Sequence, residues 1–561
     1  MEIHSWDRFR WADKHTHSAR RGQIILTNMK YDAIIIGYGP AGATLANLLA
    51  IRGWRVAVVE QSLRIYDKPR AITADHECMR VFQECGLAED IVSGTSPHPG
   101  TDFVGMDNKV VKRFYPQPGS KQLGWEPSFM FVQPQLEEKL RAGIERHKHV
   151  HVLLSHRFLQ FEAENHEVRV QVHDLSNDRD LELTAKYLIA CDGASSPVRR
   201  QLETVLEDLE FDEWWMVIDA WIRGPLQLPQ RCVQYCRPTR PGTYIIGPGD
   251  LRRWEIKLLP GEGPDDFHTE ESIRRVLSEF VDAASLELCR TAVYRFHAVV
   301  AERWRSGRVF LAGDAAHQMP PFLGQGMCAG VRDVVNLAWK LDMVERLGAT
   351  AGILDTYGIE RKPHVRTIVS LAKSFGLIIG ELDPEAARSR DVRLRAELES
   401  GQAETVRQKF IPGLTAGIIA TDASGTPKPG AGSLFVQPRV RKHGSTATAL
   451  LDDMTGACFL LASEEPGVLE WLDPKTRDQW LRLKGKMTVI GGAHASLPPE
   501  VITVSEDDGI FREFMAQHGA RAVLVRPDRY VYGVASNADS LRQMVGELHD
   551  RIFGPSKLRQ P

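Results

Sequence analysis

A chain of 561 residues is long enough for two or three domains, and its 70 basic against 73 acidic side chains give no reason to expect a nucleic-acid partner. The hydrophobic fraction of 43% is that of an ordinary globular protein, and no apolar run reaches the ~18 residues of a membrane span. The eight scattered cysteines include no Cys-x-x-Cys pair, which favours reduced thiols in a cytoplasmic protein. We therefore predict no metal, no nucleic acid and no membrane among its partners.

The residues from 32 to 60 have the pattern of a strand, a tight turn, a helix and a second strand. Gly37, Gly39 and Gly42 form G-x-G-x-x-G directly after the apolar run 33–36, which predicts a buried parallel strand. The first glycine permits the turn, the second lets the backbone approach a pyrophosphate, and the third lets the helix lie close to the strand. The pattern therefore predicts a site for an adenine dinucleotide, FAD or NAD.

The helix of this unit and the end of its second strand add polar contacts. Pro40 suits the first helical turn, where no N–H is lost, and with Ala41 it begins the helix. The free N–H groups and partial positive charge of that N-terminus favour phosphates. Glu60 ends the second strand, where an acidic side chain bonds ribose hydroxyls.

Short elements are predicted between this unit and residue 193. Arg70 lies in a loop, and a short helix is predicted over 76–86. The stretch 101–115 alternates like a hairpin, 131–147 has the spacing of an amphipathic helix, and 151–174 alternates like two antiparallel strands. A strand over 187–191 then ends at Asp192-Gly193.

Apolar strands separated by turns fill residues 209–300 and predict a sheet inserted between dinucleotide-binding elements. Such a sheet suits a platform over a flat aromatic substrate. Tyr235, Tyr244 and Trp254 either line that pocket or belong to the core, as strand aromatics usually do.

The last part of the chain divides into a strand, helices, a linker and a further domain. A strand over 309–312 is followed by a proline-rich loop and a helix, and a later helix is predicted to stop at Pro363. We predict an N-terminal tail at 1–29, a dinucleotide-binding domain with the inserted sheet at 30–400, a linker at 401–432 and a small α/β domain at 433–561.

Three motifs in this order resemble the group A flavoprotein monooxygenases, the single-component aromatic hydroxylases. They are GYGPAG with Glu60, CDGASSPVRR, and GDAAHQMPPFLGQGMCAGVRDVVNLAWKL, and together they span roughly residues 30–380. Within the group, PRAITADHE, VQPQLE and VRPDRYVYG are most similar to the 3-(3-hydroxyphenyl)propionate/3-hydroxycinnamate hydroxylases. The resemblance implies an α/β fold: a glutathione-reductase-type, Rossmann-like FAD domain, an interleaved substrate sheet and a C-terminal thioredoxin-like domain.

The resemblance also implies which residues hold FAD. Asp314 would accept hydrogen bonds from ribityl hydroxyls, unless it only caps a helix, and the helix start at 324–327 would face the N1–C2=O edge of the flavin. The expected FAD contacts are Gly37, Gly39, Pro40, Ala41, Gly42, Glu60, Arg70, Gln133, Asp192, Gly193, Gly313, Asp314, Pro321, Gly324, Gln325, Gly326 and Met327.

The implied reaction uses NADH or NADPH and O2 to hydroxylate a phenolic acid ortho to its hydroxyl, through a flavin C4a-hydroperoxide. Forming phenolate at pH 7 costs roughly 4 kcal/mol, so a base near the hydroxyl would help. Asp75 is the candidate by resemblance and His76 the alternative, although either could simply cap the following helix. His76 departs from the Asp-Asp-Glu more common in the propionate hydroxylases. Arg253 is the candidate cation for a substrate carboxylate, with Arg252 and Arg295 as alternatives.

Other interpretations remain open at this point. The substrate could be another phenol, a resorcinol or a polyketide aromatic, and a flavoprotein sensor would bind FAD without oxidising NAD(P)H. A homodimer is possible through the C-terminal domain. The residues do not distinguish NADH from NADPH.

Overall fold

The structure is a computed structural model that describes residues 29–68, 70–117, 121–491 and 497–554. Two large sheets are built from residues 30–318, and a third lies within 439–535. Among the described helices, none combines the length and the apolar character needed to cross a membrane.

The elements have the following bounds. The strands of the first two large sheets and of a small three-stranded sheet are β1 (Lys30–Ile36), β2 (Val56–Glu60), β3 (Thr73–Asp75), β4 (Ser96–Pro97), β5 (Thr101–Val104), β6 (Val110–Phe114), β7 (Ser128–Met130), β8 (Val150–Leu154), β9 (His156–Ala163), β10 (Val168–Asp174), β11 (Arg179–Ala190), β12 (Leu206–Ile222), β13 (Cys232–Tyr235), β14 (Gly242–Ile246), β15 (Leu251–Lys257), β16 (Leu286–Ala301), β17 (Arg305–Ser306), β18 (Val309–Leu311) and β19 (His317–Gln318). The helices up to residue 400 are α1 (Pro40–Ile51), α2 (His76–Glu84), α3 (Ala88–Val92), α4 (Gln133–Glu145), α5 (Pro197–Gln201), α6 (Glu270–Leu277), α7 (Gly326–Leu347), α8 (Thr356–Gly380) and α9 (Pro384–Glu399). The remaining elements are β20 (Arg439–Lys442), β21 (Thr448–Leu450), α10 (Leu451–Thr455), β22 (Leu460–Ser463), α11 (Pro474–Arg482), β23 (Lys486–Ile490), β24 (Val501–Glu506), α12 (Ile510–Gln517), β25 (Ala522–Val525), β26 (Val531–Ala535) and α13 (Ala538–Phe553).

The first sheet has the strand order β17-β18-β11-β1-β2-β8, with β10 and β9 continuing from β11. β1 pairs in parallel with both β2 and β11, and its residues 33–36 are almost completely buried. A parallel strand covered on both faces needs such a continuous apolar run. The carboxyl ends of β1, β2, β11 and β18 therefore meet at one edge, where the loops predicted to bind a dinucleotide begin. The α/β class predicted from the sequence is confirmed.

The second sheet has the order β19-β16-β12-β15-β14-β13-β5-β6 and presents two different faces. Tyr244 and Trp254 lie on the face that packs against Ile273 and Leu277 of α6, and Tyr235 contacts Phe280 near the end of that helix. These three aromatic side chains are thus core residues, and they do not line the cavity described below. The opposite face is called here the cavity floor and is mostly polar; it comprises Gln234, Thr243, Glu255, Val217, Ile245, Arg253, Asp219 and Arg290.

Pro363 does not end a helix as the sequence analysis predicted, because α8 continues through it from Thr356 to Gly380. Proline removes the N–H that would bond the carbonyl group of Ile359. Both residues are exposed to solvent, so water can satisfy that carbonyl and the helix continues.

The third sheet has the order β21-β20-β24-β23-β22-β25-β26, with β22, β23 and β24 parallel and β25 antiparallel to β22. Its core includes Trp339 and Met343 of α7, so the C-terminal part and the first part share a hydrophobic cluster. The segment 401–432, for which we predict a linker, also contributes buried side chains, including Arg407, Leu414 and Ile419.

A buried ion network joins the C-terminal part to α7 and α8. Arg526 donates to Glu360 of α8 at 2.7 Å and to Asp528 at 2.6 Å. Lys340 of α7 donates to Glu360 at 2.8 Å, and Trp339 donates to Asp528 at 3.0 Å. Burial lowers the pKa of Lys340 to about 8, although Glu360 opposes the shift. Removing one partner of this network would leave an unpaired buried charge, at a cost of about 3–5 kcal/mol.

Candidate active site

A cavity of about 750 Å³ lies between the carboxyl edge of the first sheet and the cavity floor. At one end it is bordered by the loop that follows β1, and at the other by the floor and the 3-10 turn Pro321–Leu323. Dinucleotide sites in open α/β sheets lie at this edge, outside the carboxyl ends of the strands. The fold thus brings the predicted dinucleotide loops and the inserted sheet to one space.

The glycines of the first motif differ in what surrounds them. Gly37 has a φ of +97°, and a Cβ there would lie 2.3 Å from the carbonyl oxygen of Cys191. A Cβ on Gly42 would lie 2.1 Å from the carbonyl oxygen of Gly37, so this glycine supports packing and does not line the cavity. Around a Cβ built on Gly39 nothing lies within 4 Å, and Gly39, Pro40 and Ala41 border open space at the N-terminus of α1.

Glu60, Arg70 and Gln133 also line the cavity. The Glu60 carboxylate accepts the backbone N–H groups of Tyr38 at 2.9 Å and Ser62 at 2.8 Å, which leaves lone pairs for ribose hydroxyls. Gln133 holds the loop at Ala71 through its side-chain oxygen, at 2.5 Å, and both Gln133 and Arg70 donate to Glu137.

Asp192 and Asp314 project into the same cavity, next to Gly193 and Gly313. Asp192 accepts from the N–H of Val198 with Oδ2, whereas its buried Oδ1 has no hydrogen-bond partner among the described residues. Burial raises the pKa of Asp192 above its usual range. The Asp314 side chain is open to the cavity, yet desolvation by the surrounding protein raises its pKa as well. His317 and Arg70 act in the opposite direction and lower that pKa. Both carboxyl groups are placed to accept hydroxyl donors from a bound molecule.

The N-terminus of α7 faces the cavity with Gly324, Gln325, Gly326 and Met327. Gly324 has a φ of +62°, which turns the chain into this 22-residue helix. Free N–H groups and the helix dipole favour negative charge at such a place. The Gln325 side chain accepts from Arg332 at 2.9 Å, and this buried arginine therefore fixes the turn.

Asp75 and His76, the two candidate bases of the sequence analysis, do not line the cavity. Asp75 caps α2 by accepting from the N–H of Cys78, and it accepts from Arg332 at 2.5 Å. Burial alone would raise the pKa of Asp75, but Arg332 holds it at about 2. Burial lowers the pKa of His76 to about 4. With its carboxylate held by Arg332, Asp75 supports the turn at Gln325 and is not placed to touch a substrate.

Asp75 also belongs to a small cluster with Cys78 and Cys328. The ligand atoms of these three buried side chains lie within 4.8 Å of one another. The Asp75 carboxylate already has the positively charged Arg332 as its partner, so the cluster does not call for a metal ion.

Arg253 lies on the cavity floor, but its guanidinium group is paired. It donates to both oxygens of Asp219, at 2.7 and 3.1 Å, and to the carbonyl oxygen of Arg70. Arg290 of β16, on the other side of β12, donates to the same Asp219 at 3.1 Å. The register places Arg253 opposite Asp219 and Asp219 opposite Arg290 across β15, β12 and β16. This geometry disfavours our expectation that Arg253 binds a substrate carboxylate directly. Arg252, one alternative, does not line the cavity, whereas Arg295, the other, lines it and is paired with Asp212.

Glu255 is a floor residue that the sequence analysis missed. It lies two positions after Arg253 on β15, so both side chains project from the same face, and its Oε1 is 3.9 Å from Nη1 of Arg253. Burial raises the pKa of Glu255 to about 7, with Arg253 and Arg290 opposing the shift and Asp219 reinforcing it. Perturbed carboxyl groups in a cavity are typical of general bases, and the i, i+2 alternation with Arg253 was the signal for it in the sequence.

Comparisons with known proteins agree with this geometry. A family model described as "FAD binding domain" matches residues 30–372, and a model of the HcaD C-terminal domain matches residues 432–551. A probable NADH-specific resorcinol 4-hydroxylase of Rhodococcus jostii (strain RHA1) is 33% identical over 523 residues, which are 92% of this chain and 94% of that protein. A 3-(3-hydroxy-phenyl)propionate/3-hydroxycinnamic acid hydroxylase of Comamonas testosteroni is 31% identical over 580 residues, covering 93% and 97%.

A solved structure shares the whole fold. The flavin-dependent monooxygenase PieE, in complex with FAD and substrate, aligns with a TM-score of 0.77 at 22% identity and covers 93% of this chain and 100% of that one. The FAD-binding family model and the two hydroxylase relatives define the class, a flavoprotein oxidoreductase. The chain belongs to the family of FAD-dependent aromatic monooxygenases, and the family predicted from the motifs is confirmed.

The cavity also fits FAD on structural grounds. The open space beside Gly39 and Gly193, where a Cβ would meet nothing within 4 Å, is the cradle that a pyrophosphate needs. Asp192 borders the same cavity, and its buried Oδ1 has no hydrogen-bond partner among the described residues. Two helix N-termini, those of α1 and α7, supply positive potential at either end.

Replacing Asp333 should destabilise the protein strongly and loosen the loop that carries Asp314. This fully buried carboxylate of α7 accepts from the N–H of Gly313, from Nε2 of His317 and from Nε of Arg361. Asp333→Asn leaves the buried Arg361 without an anionic partner, which costs about 3–5 kcal/mol. We expect a lower thermal midpoint and loss of bound FAD. The exposed Asp355→Asn, which removes a surface partner of Arg305, should change stability by less than about 1 kcal/mol; similar effects of both variants would contradict the assignment.

Proposed function

We propose that the protein uses NADH or NADPH, O2 and FAD to hydroxylate a single-ring phenolic acid, such as 3-(3-hydroxyphenyl)propionate, ortho to its hydroxyl group, giving a catechol. The observation that carries the proposal is the buried Glu255 on the floor of a cavity that continues into the dinucleotide cradle. An aromatic substrate on this floor would present its hydroxyl to Glu255 and its ring to the flavin.

FAD would be held by the N-terminus of α1, by Asp192 and Asp314, and by the N–H groups at the start of α7. When bound and reduced, FAD would activate O2, which is the source of the oxygen atom that is transferred to the substrate. The protein contributes position and exclusion of water: Phe296 and Phe322, whose ring centroids are 6.0 Å apart, border the cavity and suit edge contacts with an aromatic ring.

Glu255 would accept the proton of the phenolic hydroxyl, which raises the electron density at the ortho carbon. A carboxylate with a pKa of about 7 instead of 4.5 is a stronger base by about 3 kcal/mol. Arg253 and Arg290, which both bond Asp219 beside Glu255, would add positive potential near the negative charge of the phenolate.

A resorcinol is the second candidate, and it is favoured by the identity to a probable resorcinol hydroxylase. Larger polyketide aromatics fit less well, since a cavity of about 750 Å³ has to hold the flavin as well as the substrate.

The test is oxidation of NADH and NADPH by the purified yellow protein with 3-(3-hydroxyphenyl)propionate, 3-hydroxycinnamate, resorcinol and phenol, measuring catechol product and hydrogen peroxide. Stoichiometric hydroxylation of one acid supports the proposal. Hydroxylation of resorcinol alone selects the second candidate. Stimulated oxidation that yields only peroxide with every compound would refute both substrates, and bound FAD without any NAD(P)H oxidation would favour a sensor.

A further inference from the structure

A buried arginine that the sequence analysis placed in the predicted linker reaches the cavity. Arg407 lies in the 3-10 turn Arg407–Phe410, is only 4% exposed and lines the cavity. Its backbone N–H bonds the carbonyl oxygen of Tyr115, and the isolated bridge between Tyr115 and Val406 fixes the same segment. The turn is therefore anchored to β6, and the side chain enters the cavity from a fixed backbone.

The guanidinium group of Arg407 is incompletely satisfied. Nη2 donates to the carbonyl oxygen of Leu323 at 2.6 Å, and the group lies over the ring of Phe114, 4.8 Å from its centroid. Its buried Nε has no hydrogen-bond partner, and no carboxylate forms an ion pair with it, among the described residues. Asp75, the acidic group that acts on its pKa, already bonds Arg332. A buried arginine without an anion is costly unless a ligand supplies one.

The surroundings of Arg407 suit a carboxylate. Burial and the nearby Arg407 keep the pKa of His98 well below its usual range, so this cavity-lining histidine is neutral. Cys232 lies on β13, at one side of the floor. Burial raises the pKa of its thiol to about 11 although the same guanidinium group acts to lower it, so Cys232 remains a thiol. The two cavity-lining groups whose pKa values Arg407 affects, His98 and Cys232, are thus both uncharged.

The distance across the floor matches a phenolic acid. Arg407 acts on Cys232 of β13, whereas Glu255 is on β15, two strands away in the order β15-β14-β13. Glu255 lies opposite Thr243 and Thr243 opposite Gln234, so Cys232 is also two residues further along its strand. Two inter-strand spacings of about 10 Å and an offset of about 7 Å along the strand put Cys232 about 12 Å from Glu255. A 3-carbon acid side chain on a phenol places its carboxylate and its hydroxyl at a comparable separation once a hydrogen bond is added at each end.

We propose that Arg407 is the anion-binding subsite of the substrate cavity, which holds the carboxylate of a phenolic acid while the hydroxyl group lies at Glu255. This assignment rests on the proposed function for its orientation of the ligand. Arg407, which has no carboxylate partner in the part of the chain that the structure describes, thereby takes the role in acid specificity that we first expected of Arg253.

The test measures binding without turnover, by the change in flavin absorbance on titration of the oxidised holoenzyme. The probes are 3-phenylpropionate, which has no hydroxyl group, 3-(3-hydroxyphenyl)propionate and the neutral amide of the latter. For the unchanged protein we expect the amide to bind about 10- to 100-fold more weakly than its acid, the size of one charge-assisted contact. Arg407→Gln should raise the Kd of both acids by the same factor and leave that of the amide within about twofold.

Two further variants keep the outcome interpretable. Lys409→Gln removes a positive charge from the same turn, but Lys409 is exposed and pairs with Glu404, so acid binding should not change. Arg407→Lys keeps the charge and should retain part of the acid preference even where Arg407→Gln folds poorly. Equal binding of acid and amide by the unchanged protein, or equal weakening of acid and amide by Arg407→Gln, overturns the proposal. Because 3-phenylpropionate reports the subsite alone, these results stand whichever phenol the enzyme hydroxylates.

Discussion

The variant Glu255→Gln should retain FAD and still be reduced by NAD(P)H, yet lose hydroxylation by about 10²- to 10⁴-fold, the usual contribution of a positioned base. Reducing equivalents would then appear as hydrogen peroxide. In the unchanged enzyme the carboxylate must be ionised to accept the phenolic proton, so kcat/KM should rise with pH through about 7. That rise should be absent from Glu255→Gln, as measured by product formation between pH 5.5 and 8.5.

Stability provides an independent readout of the same residue. Because the pKa of Glu255 is raised from 4.5 to about 7 on folding, its contribution to stability is full below pH 4.5 and is lost as the pH rises through 7. Glu255→Gln should therefore be more stable than the unchanged protein at pH 8, by about 3 kcal/mol, and not at pH 4.5. Glu287→Gln, an exposed carboxylate of β16 outside the cavity, serves as the matched control. Unchanged hydroxylation with an unchanged pH profile would rule Glu255 out as the base.

The second large effect separates cofactor binding from folding within one motif. Gly39→Ala adds a methyl group where nothing lies within 4 Å, on a backbone with φ −73° that alanine tolerates. The protein should fold normally, but the methyl group occupies the space assigned to the pyrophosphate, and an overpacking cost of about 1–3 kcal/mol weakens FAD binding about 10- to 100-fold.

Gly42→Ala should do the opposite. Its methyl group would lie 2.1 Å from the carbonyl oxygen of Gly37, so α1 must move away from β1 at a cost of about 3 kcal/mol. We expect a lower thermal midpoint in the apoprotein, as well as poor flavin content. The measurement is FAD absorbance per chain together with thermal unfolding of apoprotein prepared from each variant. A destabilised Gly39→Ala apoprotein, or a fully stable Gly42→Ala apoprotein, would contradict the assigned roles.

The glycine-rich loops that border the cavity were predictable because their geometry constrains the backbone at each position. Gly37 needs a positive φ, Gly42 needs close packing, and Gly324 turns the chain into α7. Such requirements select glycine at fixed positions, and these glycines can be recognised in the sequence without knowing which residues surround them in the fold. The family of the chain was predicted from the motifs that contain these glycines.

The floor was harder to predict because it depends on strand register. Arg253 and Glu255 share a face, whereas Trp254 points the other way into the core, and a sequence alone does not say which face meets the cavity. Asp75 has the right chemistry for a base, but a contact with Arg332, 257 positions along the chain, occupies it. Arg407 was missed for the same reason, since only the packing of its turn against β6 brings it to the cavity.

The ion network at Arg526 has a consequence for exchanging parts between related enzymes. Helix α7 begins at the cavity and, some turns later, contributes Lys340 and Trp339 to the buried ion network of the C-terminal part. A graft that replaces only residues after 432 removes Arg526 and Asp528, the partners on which Glu360 and Trp339 depend. Successful chimeras will have to carry the partner positions on α7 and α8 with the transplanted segment, so the practical crossover points lie before α7 and not in the connecting segment.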